Sequence, residues 1–266
     1  MTKSTYVWFA EKLQFISPKF YKSRFFKNII QLSRDNYSER NVEPELVWIK
    51  DFLHRSDVVI DIGANVGTYL FQLENKLRPE NIYAFEPNKK LYLRLKRIFP
   101  AMQIFPLAIS DENTTAEFKI PIISGKKIHS RGTLKTQFVE SGEENQKSEM
   151  VQVVKLDDWA EIENFKKLNL IKIDVEGNER QTLLGAQNTI KKFRPVLLVE
   201  MEQRHHQNPI WELVSIVENW GYEAHYLDRA DFLLKKVTQN QIDQQNQNQV
   251  KDKRNYINNI IFLPKN

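Results

Sequence analysis

Three short stretches carry side chains that could do chemistry together. Residues 58–67 read VVIDIGANVG, an apolar run ending in Asp61 and a glycine-containing turn. Gly63 allows a tight turn and close approach of a ligand to the backbone. Asn65 is the next-best residue for a left-handed position, and Gly67 lets the following helix pack closely. Glu86 closes a second apolar run, 23 residues after Gly63. A dinucleotide site wants glycines at the first, third and sixth positions of the turn, and here Asn65 and Thr68 hold the third and sixth. That spacing speaks against a nicotinamide-dependent oxidoreductase, and no Gly-Lys-Ser/Thr follows to make a phosphate loop. A turn without phosphate-binding glycines, paired with a strand-end carboxylate for ribose hydroxyls, suits a nucleoside ligand that carries no phosphate.

The second stretch, IKIDVEGNE (171–179), puts Lys172 and Asp174 on one face of a strand and Glu176 in the turn after it. Asp174 could orient an acceptor hydroxyl, act as general base or bind a metal. Glu176 could share that work, or simply cap the next helix, where negative charge is favoured. The third, LLVEMEQRHH (197–206), ends a further strand with Glu200 and the pair His205-His206. An imidazole titrating near neutrality suits removal of a hydroxyl proton, so His205 is the first base candidate among the histidines and His206 the second. A polar surface loop is the plain alternative for that pair, and the residues do not choose between Asp174 and His205. Asp174 and Glu200 could together hold Mg²⁺, but no tight ligand cluster accompanies them and no metal is expected.

These motifs resemble the FkbM family of methyltransferases, over about residues 43–221. The resemblance rests on DIGANVG (61–67), the pair Glu86-Pro87 and IKIDVEGNE, with LLVEMEQRHH as a softer match. It implies a Rossmann-like class I methyltransferase fold and S-adenosylmethionine as cofactor. It also implies methylation of a hydroxyl, on a sugar, glycan or secondary metabolite such as a polyketide or peptide. Cofactor-binding residues are then Asp61, Gly63, Ala64, Asn65, Gly67, Glu86 and Pro87, with Ala108 at the end of the third strand. The segment Ile128–Leu134 is expected to line the acceptor pocket or close over the cofactor. A non-catalytic scaffold that kept the fold is a competing reading, weakened by the retention of the turn, Glu86 and Asp174 together.

The elements that must position these residues alternate. Strands are expected at 57–62, 82–86, 103–109 (interrupted by Pro106), 170–175 and 195–200, with helices at 43–54, 68–77, 89–98, 179–192 and 209–219. This pattern predicts an α/β fold, a mostly parallel sheet with helices on both faces. Strands at 223–227 and 257–263 predict a closing antiparallel hairpin. Residues 239–249 (QNQIDQQNQNQ), polar and low in complexity, read as a flexible loop within it. An insertion is expected at about 110–160, with strands at 115–120 and 151–155. The organisation is a catalytic domain over 43–266 preceded by a helical arm over 1–42.

With 266 residues, 41% hydrophobic and 27% charged, the chain has an ordinary globular balance. It lacks cysteine, which excludes disulfides, thiolate metal sites and cysteine nucleophiles. There is no apolar run long enough to span a membrane and no secretory signal pattern, so a cytoplasmic protein is expected. Residues 1–40 hold eight Lys/Arg and three Asp/Glu, while the remainder holds 31 of each. The body thus carries no electrostatic footprint for nucleic acid. The arm interleaves cations with Tyr6, Trp8, Phe9, Phe15, Phe20, Tyr21, Phe25 and Phe26, in two short helices broken near Pro18. Two readings of it stand: helices covering the sheet edge and the mouth of the site, which the number of aromatics favours, or peripheral contact with a membrane surface.

Overall fold

The computed structural model describes residues 11–159, 162, 164–247 and 256–265. Eight strands form the main sheet: β1 (Val59–Ile62), β2 (Ile82–Phe85), β3 (Gln103–Phe105), β8 (Leu170–Ile173), β9 (Val196–Glu200), β10 (Tyr222–Leu227), β11 (Leu234–Lys236) and β12 (Asn259–Pro264), in the order β11-β10-β12-β9-β8-β1-β2-β3. The five from β3 to β9 run parallel. β12 lies antiparallel between β9 and β10. The expected closing hairpin is therefore present, and β11 extends it by one strand. The sheet is mixed, and it starts at β1 and winds outward both ways, so a crevice opens at the carboxyl ends of β1 and β8.

Strict alternation divides the sheet between two cores. Val59, Ile82, Ala84, Ile104, Leu170 and Leu198 face one side. There they meet α2 (Glu45–Phe52), α3 (Thr68–Glu74) and α4 (Lys89–Ile98). Ile60, Ile62, Phe85, Ile171, Ile173, Leu197 and Val199 face the other. That side is covered by α5 (Glu179–Leu184), α6 (Gln187–Phe193) and α7 (Ile210–Asn219). The arm belongs to the first core: residues 11–16 are helical, α1 spans Pro18–Phe25, and Tyr21, Phe26, Ile29 and Leu32 are buried against Phe71, Leu95 and Phe99. Its residues Tyr6, Trp8 and Phe9 lie outside the described residues, as do 248 and 249 of the polar stretch.

Several sequence expectations need correction. The single strand expected over 103–109 is two strands, β3 and β4 (Leu107–Ile109), in different sheets. Pro106 has no N–H to continue a ladder, and the chain changes partner there. The insertion forms the second sheet together with β4. β5 (Thr114–Ile123) and β7 (Glu143–Val154) pair antiparallel over their whole length, with β6 (Lys126–Lys127) at the edge and β4 beside β7. The helix expected over 179–192 breaks into α5 and α6 at Gly185. A side chain there would collide with the Ser110 carbonyl, 1.8 Å from an ideal Cβ. The polar stretch expected as a loop is helical instead, α8 (Gln239–Gln247). Ile242 is fully buried, and Gln245 holds both the N–H and the carbonyl of Ile257. Tertiary contacts override a composition that favours solvent.

Candidate functional site

The first turn after β1 is built by backbone constraint. Gly63 has φ of +81°, and a Cβ there would sit 1.8 Å from the Asp174 carbonyl oxygen, so only glycine lets the ends of β1 and β8 meet. The N–H groups of Gly63 and Ala64 both reach the Phe85 carbonyl at 3.0 Å. Asn65 takes the left-handed conformation, φ +52°. Gly67, φ +87°, starts α3 where a Cβ would press on Leu95 and Phe99. The tight packing expected of it is against α4.

Glu86 follows β2 and faces this turn. One carboxylate oxygen accepts the Asn65 N–H at 2.7 Å and the other the Asn88 N–H at 2.8 Å. Burial pushes its pKa up to about 7, against the pull of these two donors. Asn88 caps α4, its side-chain oxygen accepting from the N–H groups of Lys90 and Leu91.

Ile62, Gly63, Asn65, Glu86 and Pro87 form one wall of a cleft. Leu107, Ala108, Ile109 and Phe118 make an apolar wall. His129, Ser130, Gly132 and Leu134 cross over it from the insertion. The Asn65 amide donates to the Ser130 carbonyl at 3.1 Å, and the Asn88 amide meets His129 Nδ1 at 3.0 Å. The remaining side is Asp174, Val175, Glu176 and Asn178. Ala64, Gly67 and Asp61, also expected to bind the cofactor, are not among the residues that line this cleft.

Asp61 and Lys172 are register partners on adjacent strands. Lys172 Nζ lies 3.4 Å from Asp61 and 3.3 Å from Asp174, under the Tyr69 ring at 4.8 Å. Asp61 is 1% exposed, and among the described residues its carboxylate accepts no hydrogen bond. Burial raises its pKa, with Lys172 opposing. Burial alone would lower that of Lys172, but the carboxylates of Asp174 and Asp61 outweigh it and hold the ammonium charged. Tyr69 donates at 2.8 Å to Glu43, whose pKa rises through burial and the nearby Asp174. Glu200 bonds to the Asn258 amide at 3.0 Å, and burial together with Asp174 raises its pKa. Among the described residues, no group of three or more His, Asp or Glu is placed to hold a metal ion.

The four candidate catalytic residues separate into two groups. Asp174 and Glu176 line the cleft, each side chain 22% exposed. His205, in the 3₁₀ turn Gln203–His205, is buried behind Glu176 with Nε2 at 3.5 Å from its carboxylate and the ring edge-on to Phe138. Burial pushes the Glu176 pKa up to about 8, with Asp174 adding to it; burial, with Arg204, lowers that of His205. His206 points elsewhere and pairs with the buried Glu179 at 2.9 Å. A broader open groove continues past Leu134, lined by Lys135, Phe138, Arg180, Arg204, His206 and Asn208. Sequence reading missed Asn88, Asn178, Glu43 and Tyr69. The helix cap was legible in the EPN triplet; the other three are brought in by packing that no local pattern reports.

The chain is similar to known methyltransferases. AglP of Haloferax volcanii, a hexuronic acid methyltransferase, is 26% identical over 146 residues, covering 53% of this chain and 55% of AglP. The match thus spans about half the length of that relative. NoeI of Sinorhizobium fredii, a 2-O-methyltransferase, is 26% identical over 197 residues, covering 67% of this chain and 78% of NoeI. A solved FkbM methyltransferase structure from Methylobacillus flagellatus KT aligns with 86% of this chain and 50% of its own, at 16% identity and a TM-score of 0.49. The Methyltransferase FkbM domain profile matches residues 61–224, from the aspartate of the first turn into β10 and across every motif of the cleft, and the chain belongs to the FkbM methyltransferase family.

Proposed function

We propose that the protein methylates a hydroxyl of a sugar or glycan-like acceptor with S-adenosylmethionine as donor, and that residues 43–266 are the catalytic unit, capped by the arm. The observation that carries this reading is the convergence of Glu86, Asn65, Asp174 and Glu176 on one cleft with an apolar wall. The donor fits the residues present. A carboxylate offers about four acceptor positions, so Glu86 keeps two for ribose hydroxyls after binding two N–H groups. Asn65 Oδ1 is buried with no hydrogen-bond donor among the described residues, as a group awaiting a ligand would be. Leu107, Ala108, Ile109 and Phe118 suit the faces of a purine. Bound there, S-adenosylmethionine supplies an electrophilic methyl group.

The chain's own residues orient the acceptor and remove its proton. Asp174, fixed by Lys172, orients the hydroxyl. Glu176 receives the proton, with its pKa near the operating pH where a general base works best. His205 and Arg204 hold Glu176 from behind at 3.5 and 3.7 Å. The polar groove past Leu134 seats the acceptor. The names of AglP and NoeI support a sugar acceptor and methylation at oxygen.

Calorimetric titration with S-adenosylmethionine tests the donor half, using the wild type and Glu86→Ala. Binding in the wild type and its loss in a variant of unchanged fold is expected, followed by methylation of uronic-acid oligosaccharides. A wild-type protein that binds no S-adenosylmethionine sinks the reading and moves the scaffold alternative forward.

A further inference from the structure

Among the described residues of the arm, some apolar side chains enter the core and others face outward. Tyr21 and Phe26 turn inward, whereas Phe15 is 60%, Ile16 80% and Phe20 55% exposed, with Phe25 partly so. These outward side chains are set among cations. Arg97 of α4 lies 4.0 Å above the Phe15 ring and Lys12 5.8 Å from it, while Arg94, buried and bonded to the Val66 carbonyl, lies 4.6 Å from Phe25. Lys19, Lys27 and Lys96 are exposed, and α4 adds Leu93 to the apolar surface. Residues 11–27 carry five Lys/Arg and one acid, and residues 89–98 five and none. These two packed segments therefore hold +9 of a chain whose total is +5, and everything else sums to −4. The acids facing the patch are Glu11, turned to Tyr21 and Gln14, and Glu74, which neutralises Lys22 at 2.7 Å.

We propose that this face, the helical segment 11–25 with α4, docks the protein on an anionic phospholipid bilayer. Exposed large apolar side chains ringed by Lys and Arg match what an interface of acyl chains and acidic headgroups offers. The charge is local, so the attraction orients the molecule and does not merely draw it in. Nucleic acid would use the cations but gives Ile16 and Phe20 nothing to bury into. The core side of the arm stays packed, so docking requires no unfolding. α4 is capped by Asn88, whose N–H bonds to Glu86, and this holds the bound face at a fixed geometry to the cleft. This inference is independent of the acceptor and donor assignments.

Flotation of the full chain with vesicles of phosphatidylcholine, alone or mixed with phosphatidylglycerol, tests it. Binding is expected only to the anionic vesicles and should weaken with salt. Lys19→Glu/Lys96→Glu and Phe15→Ser/Ile16→Ser/Phe20→Ser should each weaken it, by roughly fivefold or more per residue for the charges, with unchanged melting temperature and S-adenosylmethionine binding. No binding to anionic vesicles overturns the proposal. So does binding that the charge variant abolishes and the apolar variant leaves intact, which would mark a general polyanion surface. A dimer in light scattering that the apolar variant dissolves would assign the patch to a second copy instead. If the apolar variant melts early, the charge variant, altered only at exposed side chains, decides.

Discussion

The two sides of the cleft are held by different means. The side proposed for the donor, at the ends of β1 and β2, is fixed by main chain: Gly63 against the Asp174 carbonyl, two N–H groups on Phe85, two on Glu86. The side proposed for the acceptor is held largely by side chains from the turn after β8, the 3₁₀ turn Gln203–His205 and the inserted hairpin: Glu176 against His205 and Arg204, His205 against Phe138, Thr133 donating to the Glu176 carbonyl at 2.7 Å. Backbone hydrogen bonds and left-handed turns tolerate few substitutions and keep one ligand. Side-chain clusters can be rebuilt residue by residue around the same reaction. One wall thus suits a common donor and the other a variable acceptor.

The sharpest test of that contrast is at its rigid end. Gly63→Ala combines an unfavourable φ with a Cβ placed 1.8 Å from a backbone oxygen that cannot move without parting β1 from β8. It should cost on the order of 5 kcal/mol, seen as a large fall in the denaturant midpoint or as insoluble protein. A variant that folds with near wild-type stability would show that the donor turn is less constrained than its backbone implies.

Lys172→Met comes next. It leaves the buried Asp61 beside Asp174 with no cation between them. Removing one partner of a buried pair costs roughly 3–5 kcal/mol. Adding Asp61→Asn should restore part of the loss, because the stranded charge goes with it. A double variant no better than Lys172→Met would mean that the lysine acts by packing on Tyr69 and not by charge.

The same contrast explains what the sequence disclosed. VVIDIGANVG was readable because backbone geometry dictates residue type: glycine where φ is positive, β-branched residues before it. Glu86 was readable because it ends a strand at a predictable distance. The acceptor side was legible only as residue types. IKIDVEG and EQRHH announced acids and histidines, but not that Glu176 would line the cleft with His205 behind it, or that His206 would pair with Glu179. Those outcomes depend on how the left-handed turn at Glu176 and the 3₁₀ turn Gln203–His205 present their side chains. Asp61 and Lys172 are 111 positions apart and meet only through strand register. The misread helix α8 has the same origin, since its one buried Ile242 and the Gln245 clasp on Ile257 outweigh a polar composition.

The smallest expected effect in free energy is also the most specific. Glu176→Gln keeps the shape of the acceptor side and removes its titration. Turnover should fall on the order of 100-fold, while affinity for S-adenosylmethionine, proposed to bind on the other side, should change little. In the wild type, turnover should rise with pH to a plateau above about 8, as Glu176 loses its proton, and the variant should lack that limb. Stability carries the opposite sign. The folded pKa of Glu176 lies above its ordinary 4.5, so between 4.5 and about 8 the native state binds a proton that the unfolded state has released. Its contribution is therefore fully present below 4.5 and is lost as pH rises through that window. Measured against wild type, the melting temperature of Glu176→Gln should gain steadily across the same range. A flat difference would show that Glu176 titrates in the ordinary carboxylate range in the folded protein, and a turnover limb near pH 8 would then belong to another group. Unchanged turnover would take Glu176 out of the chemistry and leave it as the carboxylate that seats Arg204.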